Sequence, residues 1–185
     1  MSGESLGSIV VDLDRCWGCK TCEVACSLEH RLDPRLSFVR VEAFHSKGSI
    51  PGSAQGKSFV PVLCQHCREP ACVASCSSGA LAKGADGIVR SDPGACIGCG
   101  VCEEACPHGA IAILPDSGNP GICGLCATRQ ASGRLPACVQ HCPGRALTLA
   151  LPEDRLRTVE DSKIHWAVGL TEYKAKRCRC QESIG

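Results

Sequence analysis

The chain has 185 residues, with 20 Lys and Arg against 19 Asp and Glu and a formal net charge of +1, which excludes a polyelectrolyte partner such as nucleic acid or an anionic membrane surface. Only six residues are aromatic (Trp17, Phe38, Phe44, Phe59, Trp166 and Tyr173), while 20 glycines and 11 prolines leave few long segments. A chain so poor in large apolar side chains falls short of folding on hydrophobic burial alone, so its 18 cysteines point to inorganic cross-links that couple binding to folding.

In chain order, the alternating stretch Ser8-Ile-Val-Val-Asp-Leu-Asp predicts a strand that leads into a first cysteine run, Cys16-Trp-Gly-Cys19-Lys-Thr-Cys22-Glu-Val-Ala-Cys26. Residues 27–63 then form an excursion too long for a plain turn. Within it Ser37–Phe44 and Ser58–Leu63 read as strands around a Gly- and Ser-rich segment, which predicts a hairpin-like insertion. A second run follows, Cys64-x2-Cys67-x4-Cys72-x3-Cys76. Gly87–Arg90 predicts another strand before the third run, Cys96-Ile-Gly-Cys99-Gly-Val-Cys102-Glu-Glu-Ala-Cys106-Pro107. Ala110–Leu114 is the next expected strand. The fourth run is stretched: Cys123-x2-Cys126, eleven residues, then Cys138-x3-Cys142-Pro143, with a strand expected at Ala146–Leu151. Short helices are expected to start after the third cysteine of each run. Strand, cysteine loop and short helix thus recur, with four copies of the metal-binding part.

From Pro152 the composition changes. Glu153–Asp161 predicts a short helix, and the basic end carries the two remaining cysteines, Cys178 and Cys180, badly spaced to chelate one small ion. Residues 1–151 are therefore expected to form one domain, and 152–185 a solvated or partner-docking extension. The first residues show no basic and apolar leader and no twin arginine, and no apolar run reaches the roughly 20 residues of a membrane span. The expected location is a reducing cytoplasm, without direct membrane insertion, where clustered thiols bind metal rather than form disulfides.

The first and third runs have the spacing C-x2-C-x2-C-x3-C, that of a bacterial ferredoxin [4Fe–4S] site. Two short gaps let three thiolates of one loop reach three irons of a cubane, while the fourth cysteine is free to ligate a second cluster. Zinc is the rival, but a four-cysteine zinc site usually takes two well-separated pairs. Three ligands within seven residues suit a cubane better, and proline after Cys106 and Cys142 agrees with the ferredoxin run.

The order and spacing of these runs resemble the four-cluster, ferredoxin-like small subunits of molybdopterin and tungstopterin oxidoreductases. The type case is the dimethyl-sulfoxide-reductase iron–sulfur subunit, and similar subunits serve formate dehydrogenases, hydrogenases and carbon monoxide dehydrogenases. The resemblance spans about Ser8 to Leu151 and is carried by Cys16-Trp-Gly-Cys-Lys-Thr-Cys, Cys64-Gln-His-Cys-Arg-Glu-Pro-Ala-Cys and the stretched last run. It implies an α+β fold of tandem nested bacterial-ferredoxin-like units, with short strands, short helices and many loops, organised around four [4Fe–4S] clusters. It also implies crossed ligation. Cys16, Cys19, Cys22 and Cys142 would hold cluster 1, and Cys64, Cys67, Cys72 and Cys106 cluster 2. Cluster 3 would take Cys96, Cys99, Cys102 and Cys76, and cluster 4 Cys123, Cys126, Cys138 and Cys26. Ser77 stands where the family usually has proline, which puts the shielding of the cluster using Cys76 in doubt.

Sixteen thiolates and four oxidised clusters would shift the net charge by roughly −8, to near −7. Lys20, Arg68, Arg90, Arg129, Arg134 and Arg145 then read as local compensation or as ordinary surface charge, and Lys20 and Arg68 as residues that raise their clusters' potentials. His66, His108 and His141 lie in or beside runs that already have four cysteines, so they are read as neighbours of ligands or as exposed residues. His30, His45 and His165 carry no motif.

No catalytic constellation appears: no phosphate-binding loop, nucleophile elbow or His-Glu-x-x-His. The expectation is a non-catalytic subunit that relays single electrons between a tungsten or molybdenum pterin catalytic subunit and another redox partner. The alternatives are a free polyferredoxin, a hydrogenase or carbon monoxide dehydrogenase electron carrier and, more remotely, a zinc-organised interaction module. Anaerobically prepared protein is expected to be brown and to contain iron and acid-labile sulfide in equal amounts. A colourless, zinc-loaded protein would overturn the iron–sulfur reading.

Overall fold

The structure, a computed structural model, describes residues 7–45, 57–150, 164–168 and 171–175. Four α+β units of short elements follow the cysteine runs. The strand expected at Ser8 is β1 (Ser8–Asp12), buried along its first four residues. It pairs antiparallel with β8 (Leu147–Ala150), Val11 opposite Leu147, so the chain beyond the fourth run lies against the chain before the first.

On its other side β1 pairs in parallel with β10 (Thr171–Ala175), which pairs antiparallel with β9 (Ile164–Val168). The sheet order is β8-β1-β10-β9, so part of the expected extension 152–185 joins the main sheet. The helix expected at Glu153–Asp161, and Cys178 and Cys180, lie outside the described residues.

Between the first two runs, β2 (Val39–His45) and β3 (Lys57–Leu63) pair antiparallel, Val39 opposite Leu63. Pro61 is accommodated because this sheet has two strands only, so a missing ladder donor can face outward. Two further pairs flank the third run. β4 (Leu81–Lys83) with β5 (Val89–Ser91) precedes it, and β6 (Ile111–Ile113) with β7 (Pro120–Ile122) follows. β6 and β8 coincide with the expected stretches to within a residue, and β5 begins two residues later than the expected Gly87. β4 and β7, three residues each, are too short to show a period in the sequence.

The helices differ from expectation in one respect. α1 (Thr21–His30), α2 (Ala71–Ala74), α3 (Val101–Glu104) and α5 (Ala137–Gln140) start one residue before the third cysteine, not after it. That places Cys22, Cys72, Cys102 and Cys138 in the first helical turn, where backbone N–H groups lack intrahelical partners and can face a sulfur. α1 alone continues, through Cys26, until Arg31 in the left-handed region caps it with its N–H on the Leu28 and Ser27 carbonyls. The eleven-residue gap of the fourth run holds α4 (Ala127–Ala131).

The apolar core is thin and cysteine-rich. Ile9, Val11, Val39, Leu63, Ile88, Leu125 and Leu147 pack with Cys22, Cys26, Cys64, Cys123 and Cys138. A second group joins Leu81, Val89 and Ile111 to Cys72 and Cys102. Ile122 touches both groups. At about 1.5–3 kcal/mol per buried aliphatic side chain, so few residues leave much of the fold to what the cysteines hold.

Arg129, on α4, is the one buried cation among the described residues. It donates to Glu29 of α1 at 2.5 Å, to Gln140 of α5, and through Nε to the Leu135 carbonyl at 2.7 Å. It thus pins three helices around the fourth run, a tighter role than the surface compensation read from the sequence. Replacing it by methionine leaves Glu29 without its cation and should cost about 2–3 kcal/mol in anaerobic denaturation. Adding Glu29→Gln to Arg129→Met should cost little more, as for two residues that act through one another.

Candidate iron–sulfur centres

The sixteen cysteines of the four runs are all free thiols, most buried or half-buried, with Cys19 and Cys99 exposed. In each run the residue before the second cysteine is left-handed: Gly18 at φ +77°, His66 at +46°, Gly98 at +69° and Leu125 at +54°. The consequence is the same four times. The N–H of that residue turns toward the sulfur of the first cysteine, Gly98 to Cys96 at 3.5 Å, and likewise Gly18 to Cys16, His66 to Cys64 and Leu125 to Cys123. At Gly18 the conformation is unstrained, and a Cβ there would run into the Phe59 ring. His66 and Leu125 adopt it at a cost.

The last cysteine of each run is also met by backbone donors. Ala110 N–H points to Cys106 Sγ at 3.4 Å, Ala146 N–H to Cys142 Sγ at 3.3 Å, and Phe38 N–H to Cys26 Sγ at 3.4 Å. At Cys76 the Ser78 hydroxyl and the Leu81 and Ala80 N–H groups hold the thiol below its ordinary pKa. Ser77, where the family usually has proline, leaves this turn intact.

Elsewhere burial dominates. It pushes the Cys22 and Cys64 thiols up to about 12 and Cys26 to about 11, and it raises Cys123 and Cys138 well above the ordinary thiol value. Such thiols stay protonated at neutral pH until a cation takes the proton's place, so loading must release protons.

Neighbouring charges reveal which runs meet. Cys142 acts on Cys16 and Cys22, and with Cys19 these line one small cleft. Cys76 lines a second small cleft with Cys96, Cys99 and Cys102. Cys106 and Cys67 act on Cys64 and Cys72. Cys26 and Cys126 act on Cys123 and Cys138. Neighbouring groups also lie close, with Cys22, Cys138, Cys123 and Cys64 in one core cluster. Among the described residues no three potential ligands converge as a single ion would require. A cubane needs no such convergence, because each thiolate binds a separate iron. Four-thiol groups, inward N–H donors and clefts fit that cofactor.

Sequence reasoning missed two residues. His30, without a motif, places Nε2 3.6 Å from Cys126 Sγ and packs its ring against Phe38, 5.1 Å between centroids. Lys83 donates from Nζ to the Cys67 carbonyl at 2.6 Å and to that of Arg68 at 3.4 Å, which ties down the second run from β4. Neither signal is local, since each partner lies far along the chain. Lys20, by contrast, is 62% exposed and pairs with Glu23 at 3.8 Å, a position where solvent screens it.

Residues 56–151 match the model of the 4Fe-4S dicluster domain. The chain belongs to this family. It is 39% identical over 152 residues to one chain of the anaerobic dimethyl sulfoxide reductase of Escherichia coli (strain K12), covering 80% of this chain and 74% of that one. Similarity extends to the thiosulfate reductase electron transfer subunit PhsB of Salmonella typhi, 35% over 170 residues, covering 91% and 84%. One subunit of the tetrathionate reductase of Archaeoglobus fulgidus is 38% identical over 128 residues, covering 69% and 58%. The chain is thus an iron–sulfur electron-transfer subunit that binds [4Fe–4S] clusters. No helix among the described residues is long and apolar enough to cross a membrane.

Lys83→Met should free the loop carrying Cys67. Loss of a charged hydrogen bond worth about 1.5–3 kcal/mol predicts about tenfold or faster iron release to a chelator, followed by the bleaching of visible absorbance.

Proposed function

We propose that the chain carries four [4Fe–4S] clusters and passes single electrons between a catalytic oxidoreductase subunit, of the molybdenum or tungsten pterin kind, and a further redox partner. The ligand sets are Cys16, Cys19, Cys22 and Cys142; Cys64, Cys67, Cys72 and Cys106; Cys96, Cys99, Cys102 and Cys76; and Cys123, Cys126, Cys138 and Cys26. On these sets the chain is two ferredoxin-like units, one nested in the other. Bound [4Fe–4S] clusters supply one-electron, outer-sphere chemistry, with every iron held by a cysteine.

The observation that carries the reading is the succession of contacts between the groups. Cys22, Cys138, Cys123 and Cys64 lie in one core cluster, Cys138 within reach of the Cys22 charge and Cys123 within reach of the Cys64 charge. Cys72, Cys76, Cys102 and Cys106 share one packed group. The order along the molecule is then first, fourth, second and third set. The end sets are also the ones with an exposed cysteine, Cys19 and Cys99. Exposed apolar side chains stand beside each, Trp17 at one end and Ile97 and Val101 at the other. These ends are where electrons enter and leave. Residues 1–151 carry the clusters, with 27–63 as their excursion, and the segment 152–185, whose β9 and β10 extend the sheet at β1, also offers a docking surface for the partner. The relatives are named as one chain of a reductase and as an electron transfer subunit, which supports a separate catalytic chain. The location proposed is the cytoplasm.

Anaerobic analysis should find about 16 iron atoms per chain. Crossed ligation predicts that Cys106→Ser disturbs the same reduced-cluster EPR signal as Cys64→Ser, and a different one from Cys96→Ser. Cys106→Ser pairing with Cys96→Ser would overturn it. The native protein should copurify with a larger subunit containing molybdenum or tungsten, whereas a stable monomer would favour a free carrier.

A further inference from the structure

Two histidines stand 3.6 Å from a cysteine sulfur, and they are not equivalent. At His66 the nitrogen nearest Cys64, Nδ1, accepts the Val89 N–H at 3.0 Å, so it carries no hydrogen and cannot donate to that sulfur. At His30 the nitrogen nearest Cys126 is Nε2, and among the described residues no N–H is directed at it. His30 follows Cys26 by four residues on α1, which puts the two on one helix face, a turn apart. That face aims a cluster ligand and an imidazole at the same place, the set of Cys26, Cys123, Cys126 and Cys138. The chain that follows holds the ring there. Buried Ser27 donates its hydroxyl to the Leu32 and Asp33 carbonyls at 3.4 and 3.1 Å, which folds the turn back on α1. Phe38, beyond that turn, donates its N–H to Cys26 Sγ at 3.4 Å and packs its ring on the imidazole, 5.1 Å between centroids. Behind Phe38 lies Gly121 of β7, where a Cβ would come within 2.7 Å of the ring, so glycine there lets Phe38 take this place.

We infer that His30 is a further residue of the electron path: its Nε2–H donates a hydrogen bond to Cys126 Sγ and raises the potential of the cluster held by Cys26, Cys123, Cys126 and Cys138. The inference rests on the ligand sets proposed above. A cysteine bound to iron is a thiolate, with lone pairs and no hydrogen, so a hydrogen bond between the two can run only from ring to sulfur. Such a donor disperses sulfur charge and favours the reduced, more negative cluster, and hydrogen bonds to the sulfurs are among the things that set a cluster's potential. The fourth set then receives two donors from one packed pair, the Phe38 main chain on Cys26 and the His30 ring on Cys126. In the order proposed above this set is an inner one, between the first and the second. Its potential therefore decides whether an electron travelling between the ends meets a barrier there. A carbon ring in place of the imidazole would keep the packing on Phe38 and lose only the donor.

The test is an anaerobic EPR redox titration of the full chain as His30→Phe, beside the unaltered protein and Cys138→Ser, which marks the signal of this set. With iron content unchanged, His30→Phe should move that one midpoint downward and leave the others in place. An unmoved midpoint at full iron, or a shift confined to another signal, would overturn the inference and leave the four-cluster reading standing. Iron far below about 16 atoms per chain in the unaltered protein would instead overturn that reading. If His30→Phe fails to retain iron, pulsed EPR of protein carrying isotope-labelled histidine decides, native against His30→Gln. A histidine nitrogen coupling to the reduced cluster that His30→Gln abolishes supports the hydrogen bond. No coupling in the native protein, or one that His30→Gln leaves intact, overturns it.

Discussion

An anionic sulfur inside a protein must be met by donors, and in this chain those donors are backbone N–H groups turned inward by left-handed residues. Gly18, His66, Gly98 and Leu125 make the same turn at the same place in four runs, and each delivers an N–H to the first sulfur. The helices depend on the same requirement. Each of α1, α2, α3 and α5 begins one residue before a cysteine, which leaves first-turn N–H groups toward the sulfur. Backbone donors suit electron transfer because they do not titrate and reorganise little when charge changes.

The same requirement explains the thin core. Aliphatic residues cluster around the cysteines instead of apart from them, so the medium that excludes water from Ile9 and Leu63 also excludes it from Cys22 and Cys64. Desolvation drives those thiols up, which makes apo protein electrically quiet and makes loading a folding step. Side chains beyond the cysteines then act as clamps. Arg129 locks the helices of the fourth run, and Lys83 holds the loop of the second.

Two lysines show how little sequence adjacency says about electrostatic influence. Lys20 sits inside a ligand run and reads as an electrostatic tuner, yet its ammonium is exposed and paired with Glu23. Lys83 lies outside every run and grips one from the side. Screening depends on where the side-chain head ends up, which the position in the chain does not fix. His30 makes the same point from the other direction: no motif marks it, and the fold alone sets it beside Cys126.

Much of this protein was legible without coordinates. Sixteen cysteines in four runs, with a third cysteine after only two residues in the first and third, select a cubane over a single ion. β1, β2, β3 and β8 were visible as alternating stretches because strand periodicity is local. Gly18 and Gly98 even advertised their left-handed turns. His66 and Leu125 did not, since a non-glycine residue takes that conformation only when its surroundings impose it. Tertiary structure alone decided which run faces which, with Cys142 beside Cys16 and Cys76 beside Cys96, and it alone set His30 beside Cys126. Ligand type and spacing are properties of a few consecutive residues, whereas the meeting of distant runs depends on how strands such as β1 and β8 close the chain upon itself.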